Sequence, residues 1–334
     1  MLSFAEVVLT GRAIERMQRA SGAIAWPDGH IDAWDHIECA MALSACGLSA
    51  AARLAYDWLR SAQRLDGSWA RSVTGISVNG AAVTDPAAEA HHAAYVAVGA
   101  WHEYLVSGDI SFVELMWPTV RLAVDWTLGL ATPRGEIRWE RDASGVPGSF
   151  ALLSGCASIY QSLRCAVALA KVAGDPQPEW ERAADRLGYL VASCPEAFAD
   201  KNRFAMDWYY PVLGGAVRGP AAVARIEAGW ERFVVPGLGA RCVSDQPWVT
   251  VAETCEQVLA LDACGLRSAA LPMFETVARL RQADGSYWTG WQYVNSQPFP
   301  RECSSWTAAA VVLAADALCG YSAGSPVFRY VPGS

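Results

Sequence analysis

Apolar residues recur along the 334-residue chain at the three- and four-residue spacings of helices, and almost nowhere at the two-residue spacing of a half-buried strand. The periodic runs are of two kinds that alternate. Segments 2–20, 48–65, 110–130, 177–193, 219–234 and 266–282 carry charge along one face, as helices do with one side in water. Segments 32–46, 85–106, 152–173, 205–216, 248–263 and 302–319 are rich in Ala, Gly, Leu and Val nearly all round, as enclosed helices are.

The turns repeat with the helices. Gly22-Ala-Ile-Ala-Trp26, Gly67-Ser-Trp69, Gly135-Glu-Ile-Arg-Trp139 and Gly285-Ser-Tyr-Trp288 each follow a charged run and precede an apolar one. Glycine ends the helix and the indole covers the apolar layer behind it. Thr84-Asp85-Pro86 and Gly174-Asp175-Pro176 read as helix starts with Asp as N-cap, and Gly47 and Gly265 read as helix ends. Repetition at this length means a stacked or closed helical array. Six hairpins can close on themselves, so the expected fold is all-α, an (α/α)6 toroid with two concentric walls. Length alone would allow two domains. No Pro/Ser/Gly linker interrupts the repeat, and one domain over 1–334 is expected.

Composition narrows the function. With 26 Lys and Arg against 34 Asp and Glu, the net charge is −8, and no basic block occurs. That excludes the clustered positive surface a nucleic-acid or anionic-membrane partner needs. Ala308 to Leu318 is too short to span a bilayer and holds Asp316, and the first residues lack the order of a secretion signal. A cytoplasmic, soluble protein is the expectation. Ten cysteines contain no Cys-x-x-Cys pair and only five histidines are present, so no metal set and no cofactor is expected. His91 and His92, adjacent on a helix, are expected to diverge, one of them serving only in packing.

In a closed ring the loops entering the inner helices gather at one mouth. There the sequence places Asp32, Trp34, Asp35 and His36 in the first pair, Glu89 and His92 in the second, and Trp139 and Glu140 before the third. Arg203, Asp207, Trp208, Tyr209 and Tyr210 come with the fourth, Trp248, Glu253 and Glu256 with the fifth, and Trp288, Trp291 and Glu302 with the sixth. Capping and the helix dipole account for any one of these acids alone. They do not account for the indoles, phenols and guanidinium groups beside them. Flat apolar faces with acceptors and fork-shaped donors suit a sugar; a prenyl chain, or a cation formed from it, would use the aromatic faces but fewer buried charges. An oligosaccharide or other small molecule is thus the first candidate ligand, and a prenyl lipid the alternative. Glu253 and Glu256 share a helix face, and one of them is expected to bond an arginine such as Arg241.

Two family resemblances pull apart. Gln63-Arg-Leu-Asp66-Gly67-Ser-Trp69, with a looser copy at Gln282-Ala-Asp284-Gly285-Ser-Tyr-Trp288, resembles the QW repeat of terpenoid cyclases and protein prenyltransferases. The acidic and zinc signatures of those enzymes are missing. Trp101-His-Glu-Tyr104, Trp117-Pro118-Thr-Val-Arg121 and Asp125-Trp126, within residues 85–190, are similar to the second and third hairpins of glucoamylase-like six-hairpin glycosidases. That resemblance puts Glu140, after Trp139, where the family carries its general acid. Where it carries the base, Tyr287-Trp288-Thr289-Gly290-Trp291 has no carboxylate, which leaves Glu302, Glu253 or Asp207 to activate water. Inversion needs carboxyl groups ~6.5–9.5 Å apart and retention ~5–5.5 Å. The leading expectation is therefore a glycoside hydrolase with paired carboxylates. A cyclase or prenyltransferase using Asp207 or Asp35 is the alternative, and a non-catalytic glycan- or lipid-binding toroid the third.

Overall fold

The computed structural model describes residues 1–77 and 80–333. Helices α1 (Phe4–Met17), α2 (Ala33–Ala45), α3 (Ser49–Ala62), α4 (Ala90–Ala94), α5 (Val96–Ser107), α6 (Ile110–Leu128) and α7 (Leu153–Val172) make up the first half. Helices α8 (Pro178–Ser193), α9 (Ala205–Leu213), α10 (Gly219–Phe233), α11 (Val251–Ala263), α12 (Arg267–Glu275) and α13 (Ser305–Cys319) complete it. The inner wall closes: α2 packs on α5, α5 on α7, α7 on α9, α9 on α11, α11 on α13, and α13 back on α2. Outside it stand α1, α3, α6, α8, α10 and α12. This is the (α/α)6 toroid expected from the alternating runs.

Burial follows the sequence pattern. Outer helix α1 buries Val7, Thr10, Gly11, Ala13 and Ile14, a single stripe. Every residue of α2 is buried except Asp35. The ring is fastened where its ends meet, by the Arg281–Glu6 ion pair at 2.6 Å and by the Tyr321 hydroxyl donating to the Leu2 carbonyl at 2.6 Å.

The Gln63 turn acts as a staple between neighbouring hairpins. Gln63 donates through Nε2 to the Thr119 carbonyl of α6 at 2.9 Å and to its own turn at Gly67 at 3.0 Å. Gln18 does the same to Ala51 of α3 and to Gly22. At Gly67, with φ of 98°, an added Cβ would collide with the Leu122 carbonyl, so the turn can approach the next outer helix only as glycine.

Short strands ring the mouth, and all but β2 and β3 run only two or three residues, too brief to show alternation in the sequence. In one sheet β1 (His30–Ile31) pairs with β2 (Ser72–Ser77), which pairs with β3 (Gly80–Asp85). In another β4 (Ala88–Glu89) pairs with β5 (Glu140–Arg141), setting Glu89 opposite Glu140. The third contains β6 (Val234–Val235), β7 (Gly239–Ala240), β8 (Trp248–Thr250), β9 (Gly290–Gln292) and β10 (Gln297–Pro298).

Two expected helix starts fail here. Asp85 ends β3 and pairs with Arg71 rather than capping a helix, and the inner run begins at Ala90. Asp175 is spent on the Trp117 indole and Arg121, and Gln177 is the N-cap of α8. Gly47 and Gly265 do sit after helices with φ of 72° and 76°.

Candidate active site

Three acids lie along one face of the first inner helix: Asp32, Asp35 and Glu38, spaced by three. Asp32 is the N-cap of α2, its Oδ1 accepting the Asp35 backbone N–H at 2.8 Å. The Trp26 indole donates to Asp35 Oδ2 at 2.6 Å. Glu38, 3% exposed, accepts from the Trp306 indole at 2.7 Å and the Tyr95 hydroxyl at 3.1 Å. Trp26 stacks on Trp306 and His30, and Trp34 stacks on Tyr95 with ring centroids 4.0 Å apart.

Burial disfavours the charged forms of Asp35 and Glu38. Burial, with the charges of Asp32 and Glu38 behind it, holds the Asp35 carboxyl well above the usual aspartate range. Burial pushes Glu38 up to about 7, against the pull of its Trp306 and Tyr95 donors. Glu256 on α11 is raised well above the glutamate range by burial and by Glu38 and Glu253, although both Tyr209 and Tyr210 donate to it, the latter at 2.5 Å. Beside it Glu253, 5% exposed, leaves Oε2 buried without a hydrogen-bond partner among the described residues.

The raised Glu38 carboxyl has a consequence for stability. Below pH 4.5 the group is protonated folded and unfolded alike; as pH rises towards 7 only the unfolded chain releases the proton, and stability falls by about 3 kcal/mol. Glu38→Gln does not titrate. Its stability relative to the wild type is expected to improve by about that amount across this interval in urea unfolding. A difference independent of pH would contradict the raised value.

Opposite the β4–β5 ladder, Arg71 gathers three carboxylates. It reaches Glu89 Oε1 at 2.7 Å, Asp85 at 2.9 Å and Glu140, with its guanidinium 5.3 Å from the Trp139 ring centroid. The Trp139 indole donates to Glu89 Oε2 at 3.0 Å. His91 and His92 both turn their Nε2 atoms to that same oxygen, at 3.4 and 3.6 Å. The expected divergence of the two histidines is therefore wrong: at the first turn of the five-residue helix α4, both rings reach back to a glutamate held on the preceding strand. Burial, with His92 beside it, lowers His91 to about 3.

Other expected site residues serve elsewhere. His36 is a packing histidine, 1% exposed, held by the Ile24 N–H at 3.3 Å and the Ala55 carbonyl at 2.9 Å and lowered to about 4 by burial. Trp208 faces the outer wall, its indole donating to the Arg225 carbonyl at 2.9 Å and its ring stacked on Phe233. Arg203 is exposed and pairs with Asp245 at 2.8 Å. Arg241 bonds the Tyr293 hydroxyl and the Arg232 carbonyl, not Glu253 or Glu256.

Asp207 accepts from the Ser154 N–H at 3.2 Å and is raised by burial; it lines a cavity of about 530 Å³ between α9 and α10, with Trp208, Arg225 and Phe233. Trp248 packs on Phe299, Trp288 lies half-buried against the core, Trp291 sits on β9 beside Val249 and Pro298, and Glu302 is half-buried and raised by burial and Asp28. Two participants escape a sequence reading. Arg71 is an isolated basic residue after a turn, and Tyr95 sits inside an apolar run.

No family model matches the chain. It is 52% identical over 96% of its length, and 88% of the other protein's, to a Mycolicibacterium hassiacum protein named MMP endo-(1,4)-3-O-methyl-alpha-D-mannosidase. Among solved structures it resembles a glycosidase variant in complex with glucose, at 17% identity and a TM-score of 0.75 over 96% of this chain and 100% of that one. It also resembles a D-mannose isomerase, at 11% identity and a TM-score of 0.70 over 93% and 95% of the two chains. The likeness to these structures is one of fold. The sequence relationship makes this chain a glycoside-hydrolase-like enzyme, in preference to a cyclase, a prenyltransferase or a non-catalytic toroid.

Proposed function

Because the chain belongs to the family of the Mycolicibacterium hassiacum endo-mannosidase, we propose that it hydrolyses internal (1,4) linkages in a chain of 3-O-methyl-α-D-mannose, with Asp35 as proton donor and Glu253 as the base that activates water. The observation that carries the assignment is the state of Asp35. It is the one half-buried residue in a helix otherwise wholly buried, and desolvation with the charges of Asp32 and Glu38 raises its carboxyl well above the usual aspartate range. A half-buried carboxyl that holds its proton more tightly than an ordinary aspartate is what departure of a sugar oxygen requires.

Glu253 answers it from the first turn of α11, one helix removed round the ring, with a buried oxygen that has no hydrogen-bond partner among the described residues. A water bound there would satisfy that oxygen and be polarised by it. Glu140, the donor implied by resemblance, is paired with Arg71, and a guanidinium partner favours the charged carboxylate. We assign Glu140, Glu89 and Trp139 to holding the sugar, and Asp207 and Glu302 to flanking positions. The half-buried indoles of Trp26, Trp139, Trp291 and Trp306 offer apolar surface to pyranose CH faces and to O-methyl groups.

The test is product analysis on a defined 3-O-methylmannose oligosaccharide. Mid-chain fragments are the expected first products. Release of single residues from one end, or no cleavage, would contradict the endo reading.

A further inference from the structure

His91 and His92, to which the hydrolytic reading gives no role, form a group with Glu89. Their ligand atoms, one carboxylate oxygen and two imidazole nitrogens, all lie within 4.8 Å of one another. The two nitrogen–oxygen separations are 3.4 and 3.6 Å. Those are long for charge-assisted hydrogen bonds, which run about 2.7–2.9 Å. They match the edge of a coordination tetrahedron, about 3.4 Å when each bond is about 2.1 Å.

We propose that Glu89, His91 and His92 bind a divalent d-block cation such as Zn²⁺ at the mouth of the toroid. The surrounding charge supports it. Arg71 contributes one positive charge against the carboxylates of Asp85, Glu89 and Glu140, so the cluster with neutral imidazoles is short of two positive charges. A dication makes up the difference.

The ligands are also pre-oriented, as a metal site demands. Arg71 holds Oε1 of Glu89 at 2.7 Å and leaves Oε2 turned to the histidines, with the Trp139 N–H at 3.0 Å fixing its plane. Trp34 lies against both imidazoles, 5.2 and 6.3 Å between centroids, and Gly155 leaves room beside His91. Two imidazoles and one carboxylate favour zinc, cobalt or nickel over magnesium or calcium, which prefer all-oxygen sites. Three protein ligands leave a fourth position for water or a sugar hydroxyl. The site stands on its own geometry, whether or not Asp35 is the proton donor.

The chelator-treated full-length protein is titrated with Co²⁺ and followed by visible absorption, and with Zn²⁺ by calorimetry. One equivalent is expected, with the intense visible bands of tetrahedral cobalt. Glu89→Gln, nearly isosteric, and His92→Ala should each weaken binding at least tenfold while the far-ultraviolet circular dichroism is unchanged; His30→Ala, whose imidazole pairs with Asp28 instead, should not. Absence of stoichiometric binding, or affinity unaltered in both Glu89→Gln and His92→Ala, overturns the site.

Discussion

Asp35→Asn is expected to lower kcat on the natural linkage by about 100- to 10,000-fold, the range that a positioned proton donor supplies. The substitution keeps the side-chain shape and can still accept the Trp26 indole N–H, now on its amide oxygen, but it removes the proton that a departing sugar oxygen must receive. The loss should depend on the leaving group. An aryl glycoside with a strongly acidic phenol leaves without protonation, so the same variant should retain most of the wild-type rate on it. KM should change little, because the lost interaction is realised in the transition state. Equal loss on both substrates would assign Asp35 to binding or folding instead.

Glu253→Ala carries the second large effect. Removing the base should cost a comparable factor on every substrate, activated or not, because water attack is needed in each case. Azide needs no deprotonation and can enter the space the carboxylate leaves. Added azide is therefore expected to restore part of the turnover on the activated aryl glycoside and to yield a glycosyl azide. Rescue of Asp35→Asn but not of Glu253→Ala would reverse the two roles. Glu256, three residues on, gives the contrast: its carboxyl is occupied by Tyr209 and Tyr210, so it has no free oxygen for water.

The fold was legible because helical periodicity repeats over many residues and averages out local exceptions. The two kinds of run, one striped and one apolar all round, correspond to α1 against α2 as the structure has them. What the pattern could not show were contacts decided by two or three residues. Asp85 and Asp175 each precede a proline and look like caps, but ion pairs with Arg71 and Arg121 take their carboxylates. Strands as brief as β4 and β5 have no readable period, yet they alone bring Glu89 across from Glu140.

The acids of the candidate site were visible as a set, and their protonation was not. Asp32 and Asp35 look alike in sequence: one is an N-cap, and the other meets an indole under the combined charge of two neighbours. His36 and His92 likewise occupy similar polar-aromatic surroundings. Backbone partners across the hairpin make the first a packing residue, whereas the second meets a carboxylate. Function here follows from which partner each side chain finds in three dimensions.

Carbon NMR of the side-chain carboxyl of Asp35, labelled in the full-length protein and identified by its absence from the Asp35→Asn spectrum, reads the protonation state of the proposed donor directly. A resonance that keeps the chemical shift of a protonated carboxyl through neutral pH is the expected result. Titration in the ordinary aspartate range near about 4 would leave Asp35 ionised at neutral pH and contradict its role as the acid.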